Sequence, residues 1–212
     1  MMELKRWMAL GLLACGCGSS SSNPTPDAGP TLGSGTLTGT TGQTLKVKDA
    51  VFGIMPFVDG VNVVVGDRTD LCSLLGLPKD SPIPGLTTVF GFGLLSVTSN
   101  SYLPVATGST PYFPLHLIAQ GGAQPTPGQW WDGAFAVATD CSPTGTYATG
   151  GTVNVTQVGS ATTHLKVTLD GITFPDGGTL AGSVEAVYCA ALQSQKPSCG
   201  GASLLARNPA TE

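Results

Sequence analysis

The chain has 212 residues, enough for one domain of ordinary size, and carries 9 Lys plus Arg against 13 Asp plus Glu, a formal net charge of −4. Only 10% of its residues are charged, less than half the roughly 25% usual in soluble proteins. Nucleic-acid binding needs a clustered basic face and charge-driven adhesion to anionic lipid needs the same, so no nucleic-acid partner is expected. With 30 Gly and 16 Pro the surface is left to Thr, Ser, Gly, Asn and Gln between frequent turns, as on many exported β-proteins.

At the N-terminus, Lys5 and Arg6 form a short positive region, and Trp7 to Leu13 an apolar run too short to span a bilayer. Leu12-Leu13-Ala14-Cys15 closes it: a Leu, a neutral residue, a small residue and a Cys. This run resembles the lipobox of bacterial lipoproteins. The resemblance implies that residues 1–14 are a removed signal peptide and that Cys15 is lipidated. The membrane would then be a partner through this N-terminal anchor. Gly16 stands where an Asp is the family's usual inner-membrane retention signal, so the resemblance implies the outer membrane. Each buried lipid methylene contributes about 0.8 kcal/mol, so two or three acyl chains hold firmly where one is marginal.

Residues 15–35 read as the lipidated Cys and a flexible tether, since GCGSSSSNPTPDAGPTLGSG has almost no large apolar residue to offset the entropy of ordering. Cys17 lies within it with no obvious partner. Residues 36–212 read as one domain built of strands. Residues 45–54 alternate, Asp59-Gly60 is a turn signal, and Val61 to Val65 is its hairpin partner. Leu71 to Leu75 is the one candidate for a short helix, with Asp70 as its N-cap; a loop follows from Pro78 to Pro84. Strands are expected again over 88–97 and 112–119, then a Gly/Pro loop over 120–129. Residues 134–138, 151–158, 164–170 and 180–191 complete the set, the middle two in strict alternation, with a turn at Asp176-Gly177-Gly178. About nine strands, no long helix and no βαβ alternation predict an all-β, disulfide-stabilised antiparallel β-sandwich.

Four cysteines fall in that domain: Cys72, Cys141, Cys189 and Cys199. An even number in an exported chain predicts disulfides. The expected pairs are Cys189–Cys199, closing a short loop, and Cys72–Cys141, joining the two halves. There is no Cys-x-x-Cys and no His at zinc spacing, so neither metal nor cofactor is expected. Calcium would take oxygen ligands, and Asp67, Asp70, Asp132 and Asp140 come nearest to clusters, but the Asp-Gly pairs are better explained by turns.

A hydrolase needs a nucleophile beside a base, and no Gly-x-Ser-x-Gly elbow is present. His116 is expected within a strand, His164 on the polar phase of another, and Glu185 on the polar phase of the last strand, where it is the first carboxylate to test. Aromatic residues mark the better candidate. In Gln129-Trp130-Trp131-Asp132, adjacent strand residues face opposite ways, so one Trp should be core and the other outward. An outward ring beside Gln129 and Asp132 suits stacking on a sugar, the alternative being that it packs under the 120–129 loop. The expectation is a non-catalytic envelope binding or structural module, with a surface polysaccharide or an envelope protein as its partner. A Trp-based carbohydrate-binding module and a cell-envelope hydrolase are the alternatives.

Overall fold

The computed structural model describes residues 32–39, 45–55, 58–77, 82–140 and 144–193. The lipobox with Cys15, the tether up to residue 31, Cys141 and Cys199 lie outside the described residues. All described residues belong to the compact unit Thr31–Glu212, and among them no helix is long and apolar enough to cross a membrane.

Among the described residues, eleven strands form one sheet. In chain order they are β1 (Ser34–Gly39), β2 (Asp49–Ile54), β3 (Val61–Gly66), β4 (Pro82–Val97), β5 (Tyr102–Leu103), β6 (Gly108–Pro111), β7 (Gly128–Asp140), β8 (Thr144–Tyr147), β9 (Gly150–Gln157), β10 (Leu165–Thr173) and β11 (Thr179–Tyr188). A short helix, α1 (Leu71–Leu75), follows β3, and 3-10 helices occupy Leu115–Gln120 and Ala190–Gln193. The sheet order is β6-β9-β10-β11-β2-β3-β4-β7-β8, with β1 beside β11 and β5 beside β4.

Two features depart from an antiparallel sandwich. The pair β11–β2 is parallel, through Val187 opposite Val51 and Tyr188 opposite Phe52, so the sheet is mixed. The path also curls back on itself. A parallel bridge joins Tyr112 to Trp131, Phe113 N–H donates to the Trp131 carbonyl at 2.9 Å, and the Trp131 indole N–H reaches the Gly151 carbonyl at 3.1 Å. Strands near opposite ends of the path therefore share one core, in which Val153, Val155 and Val167 pack in the same cluster as Phe52, Phe90, Phe92 and Trp131.

Alternation explains which side chains enter that core. Val153 and Val155 are buried around exposed Asn154, and Val167 and Leu169 around exposed Thr168. Strands β2 and β3 are buried on both faces. Phe52, Val63 and Val65 point to the main core, while Val51 and Val64 join Leu71, Leu75, Val89 and Leu192 in a second cluster. Helix α1 and the last 3-10 helix supply part of that cluster, and a disulfide between Cys72 and Cys189 ties them together. This corrects both expected pairings, Cys189–Cys199 and Cys72–Cys141. The parallel seam brings the end of β11 beside β2, and α1 packs over the same strands, so residues 117 apart in sequence become neighbours.

Local signals explain most element boundaries. The Asp59-Gly60 turn is present, and Asp59 itself adopts a positive φ of 48°, a conformation Asp tolerates better than most residues. Asp70 precedes α1, but its side chain makes no capping bond. Its carboxylate instead takes two bonds from Arg68, at 2.8 and 2.9 Å. The expected Pro loop is shorter than 78–84, because β4 begins at Pro82, and the ladder shifts register between Pro82 and Thr87 where prolines cannot donate. Strand β1 begins inside the stretch read as tether. Gly33 and Ala50 N–H groups both donate to the buried Asp49 carboxylate, at 3.0 and 2.9 Å, fixing the chain against β2.

Candidate functional site

The strand expected over 112–119 is not formed. Pro111 and Pro114 lack the N–H a ladder needs, β6 ends at Pro111, and the chain turns into the 3-10 helix Leu115–Gln120, closed by Gly121 in the left-handed region (φ 83°). His116 therefore sits on a tight helical turn over β7 and not in a strand.

Asp132 receives it. With Trp131 turned into the core, the next residue of β7 points to the opposite side of the sheet, yet both are fully buried. Asp132 Oδ2 accepts the His116 backbone N–H at 2.8 Å and lies 2.6 Å from His116 Nδ1. Its Oδ1 accepts the Gly133 N–H at 2.8 Å. The His116 ring stacks on Tyr147, centroids 3.8 Å apart and planes 18° from parallel. Burial pushes the Asp132 carboxyl above its usual range, against the bonds from His116 and Gly133 that favour the charged form. The Tyr112 and Tyr147 hydroxyls are also pushed up, by burial first and then by the charge of Asp132. Chemically this is a carboxylate-oriented imidazole: with Nδ1 engaged, Nε2 is the nitrogen left to exchange a proton.

A second histidine–carboxylate pair lies on the outward face of β10 and β11. His164 Nδ1 is 2.6 Å from Glu185 Oε1, and Lys166 Nζ is 3.3 Å from Glu185 Oε2. Lys166 and Glu185 are direct cross-strand partners. His164 first, then Lys166, holds the Glu185 carboxyl below its usual range. This cluster is solvent-exposed, so screening leaves its ion pairs little weight in stability. Sequence alternation placed Lys166 and Glu185 on polar phases, but the strand register that joins them to His164 was not readable.

The aromatic candidates separate as adjacent strand residues must. Trp131 is fully buried and packs edge-on against Tyr112, centroids 5.3 Å apart. Trp130 is half-buried; it packs on Phe113 at 5.5 Å, and its indole N–H donates to the Thr126 carbonyl at 2.8 Å. Gln129 is a strut: its amide bonds both the N–H and the carbonyl of Ala106, at 2.8 and 3.0 Å, and the Thr110 hydroxyl at 2.7 Å. All four candidate residues are engaged within the protein, and Trp131 is the core member of the Trp pair. Trp131 and Asp132 have no exposed surface to offer, Gln129 holds the chain before β6, and Trp130 packs beneath the loop that precedes it.

Among the calcium candidates, Asp67, Asp70 and Asp132 are similarly engaged. Asp67 accepts the Thr88 N–H at 3.0 Å and Asp70 pairs with Arg68. Among the described residues no group of three or more His, Cys, Asp or Glu is placed to hold a metal ion. Asp49 is the buried carboxylate that sequence reading passed over. An acidic residue heading an apolar strand (Asp49-Ala50-Val51-Phe52) was the signal that could have found it. No protein-family model matches the chain, and neither a curated protein nor a solved structure does.

Proposed function

We propose that this chain is a lipid-anchored envelope lipoprotein whose domain acts as a non-catalytic binding or structural module, held at the outer membrane through Cys15. The observation that carries the reading is the run from Lys5-Arg6 to Leu12-Leu13-Ala14-Cys15, with Gly16 after it. Its partner is a surface polysaccharide or an envelope protein. On the same reading, the two halves of the curled sheet, β6-β9-β10-β11-β1 and β2-β3-β4-β7-β8, serve as the layers of a sandwich. A disulfide-tied scaffold with few charged residues, on a lipid tether, suits presentation of a surface better than turnover of a substrate.

The hydrolase alternative draws on the Asp132–His116 pair. A base and its orienting carboxylate make two of the three parts such chemistry needs. Against it, the imidazole face is covered by Tyr147, and the Asp132 bonds also anchor the backbone of the turn that carries the ring, a sufficient structural role.

The experiment is expression of the full chain in a bacterial host fed labelled palmitate, beside Cys15→Ser, followed by membrane fractionation. The reading expects label on the wild-type chain in the outer-membrane fraction and none on Cys15→Ser. An unlabelled wild-type chain in the soluble fraction would overturn it.

A further inference from the structure

Across five neighbouring strands the register sets Ser109 opposite Asn154, Asn154 opposite Thr168, Thr168 opposite Ser183 and Ser183 opposite Thr36. All five are exposed, and each is flanked along its strand by a buried residue: Thr110, Val153, Val167, Val184 and Leu37. They are therefore the outward phase of β6, β9, β10, β11 and β1, in one row. With strands about 4.8 Å apart, the row runs roughly 19 Å and offers a short hydroxyl or amide at every step. From this row we infer that the outward face of β6-β9-β10-β11-β1 binds a neutral, hydroxyl-rich glycan chain lying across the strands.

Charge complementarity selects the occupant. One step along the strands, Glu185 is paired with Lys166 and lies 2.6 Å from His164 Nδ1 within the face. One step the other way, exposed Asp170 on β10 is the remaining charged side chain of this face among the described residues. An anionic polymer would meet no basic patch here and would be repelled by Asp170. A protein partner would need a desolvated apolar or aromatic centre, and the row has none. A polyol fits, because it needs many donors and acceptors at regular spacing. The five side chains take no hydrogen bond from other described residues, so their groups are open to a ligand. Short side chains on a rigid sheet also lose little rotamer freedom when a ligand settles on them.

This inference rests on the binding-module reading and replaces the Trp platform with a different surface. The test is retention of the full chain, purified in mild detergent, on insoluble cellulose and chitin, with carboxymethyl cellulose beads as the anionic contrast. Thr36→Val combined with Thr168→Val removes two hydroxyls while keeping side-chain shape and strand preference; Thr36→Ser with Thr168→Ser restores them. The expected result is retention of the wild type on a neutral glycan, a loss of roughly tenfold in the Val pair, as two net hydrogen bonds imply, and recovery in the Ser pair. Ser183→Ala, which removes another hydroxyl of the row, should lower retention in the same direction as the Val pair and serves if that pair melts early. The inference is overturned if neither neutral glycan retains the wild type, or if the row variants bind as well as the wild type. It is also overturned if Trp130→Ala alone abolishes retention. None of these outcomes touches palmitate labelling of Cys15, so the two readings fail separately.

Discussion

Replacing Cys72 and Cys189 together by Ala tests how the cover over β2 and β3 is held. The bond closes a loop between residues 117 apart. In the chain-entropy account, constraining a loop of that size in the unfolded chain stabilises the fold by about 5 kcal/mol. A domain of this size loses roughly 2–4 °C of melting temperature per kcal/mol, so the double variant should melt about 10–20 °C lower. Loss should begin locally, because Leu71, Leu75 and Leu192 cover Val51 and Val64 only while α1 and the last 3-10 helix stay docked. The assay is calorimetry of both proteins, with amide exchange read at Val51 and Val64. A melting shift under about 3 °C, with exchange unchanged, would refute the claim that the bond fastens this cover. So would non-reducing peptide mapping that links Cys189 to Cys199.

Three other outcomes follow from the same geometry. Asp132→Ala should cost roughly 3 kcal/mol, the scale for removing one partner from a buried pair, and should expose residues 115–120 to limited proteolysis; intact resistance there would refute the anchoring role. Trp131→Ala should cost about 3–5 kcal/mol as a large core deletion, and Trp130→Ala clearly less; equal costs by denaturant titration would contradict their opposite placement. Carboxyl NMR titration should find Asp132 above the ordinary Asp range and Glu185 below the ordinary Glu range. The linkage signs are then opposite. Ionised Asp132 lowers stability at neutral pH, and that cost is relieved as pH falls through its raised value. Glu185 contributes stability above its ordinary value near 4.5, lost as pH falls through its lowered one. Because solvent screens this pair, Glu185→Gln should flatten the acid loss of stability only slightly, while a Glu185 titrating above the ordinary range would remove the basis for this.

Local physics made some of this fold legible. Strict alternation located β9 and β10, because one buried face imposes a period of two on Val153, Val155, Val167 and Leu169. Asp59-Gly60 marked its turn and Leu71 to Leu75 its helix. What stayed hidden was set by long-range pairing. The parallel seam of β11 with β2 joins the two ends of the domain, and no local pattern marks a strand as parallel when only two residue pairs form it. The disulfide followed that seam, which is why spacing along the chain suggested the wrong partner for Cys189. Four short strands were missed: Ser, Thr, Gly and Pro dominate β1, β6 and β8, and β5 is only two residues long, so their pairing, not their propensity, makes them strands.

The two histidine–carboxylate pairs show why such a pair does not by itself define a site. Both have a nitrogen–oxygen distance of 2.6 Å, yet their surroundings give them opposite chemistry. Around Asp132, protein replaces water and raises the carboxyl; around Glu185, water remains and the hydrogen bonds from His164 and then Lys166 lower it. A base tuned for catalysis needs the first environment together with an open path to a reacting group. Asp132 has the burial, but its oxygens are divided between the ring and the backbone N–H groups of His116 and Gly133, the pattern of a fastener that sets a turn. Glu185 has the access, but its oxygens are already taken by His164 and Lys166. The exposed hydroxyl row beside it needs no tuned acid or base to bind a neutral polymer, only regular spacing and unspent hydrogen bonds. That is the argument for seeking this protein's partner among glycans before seeking a reaction.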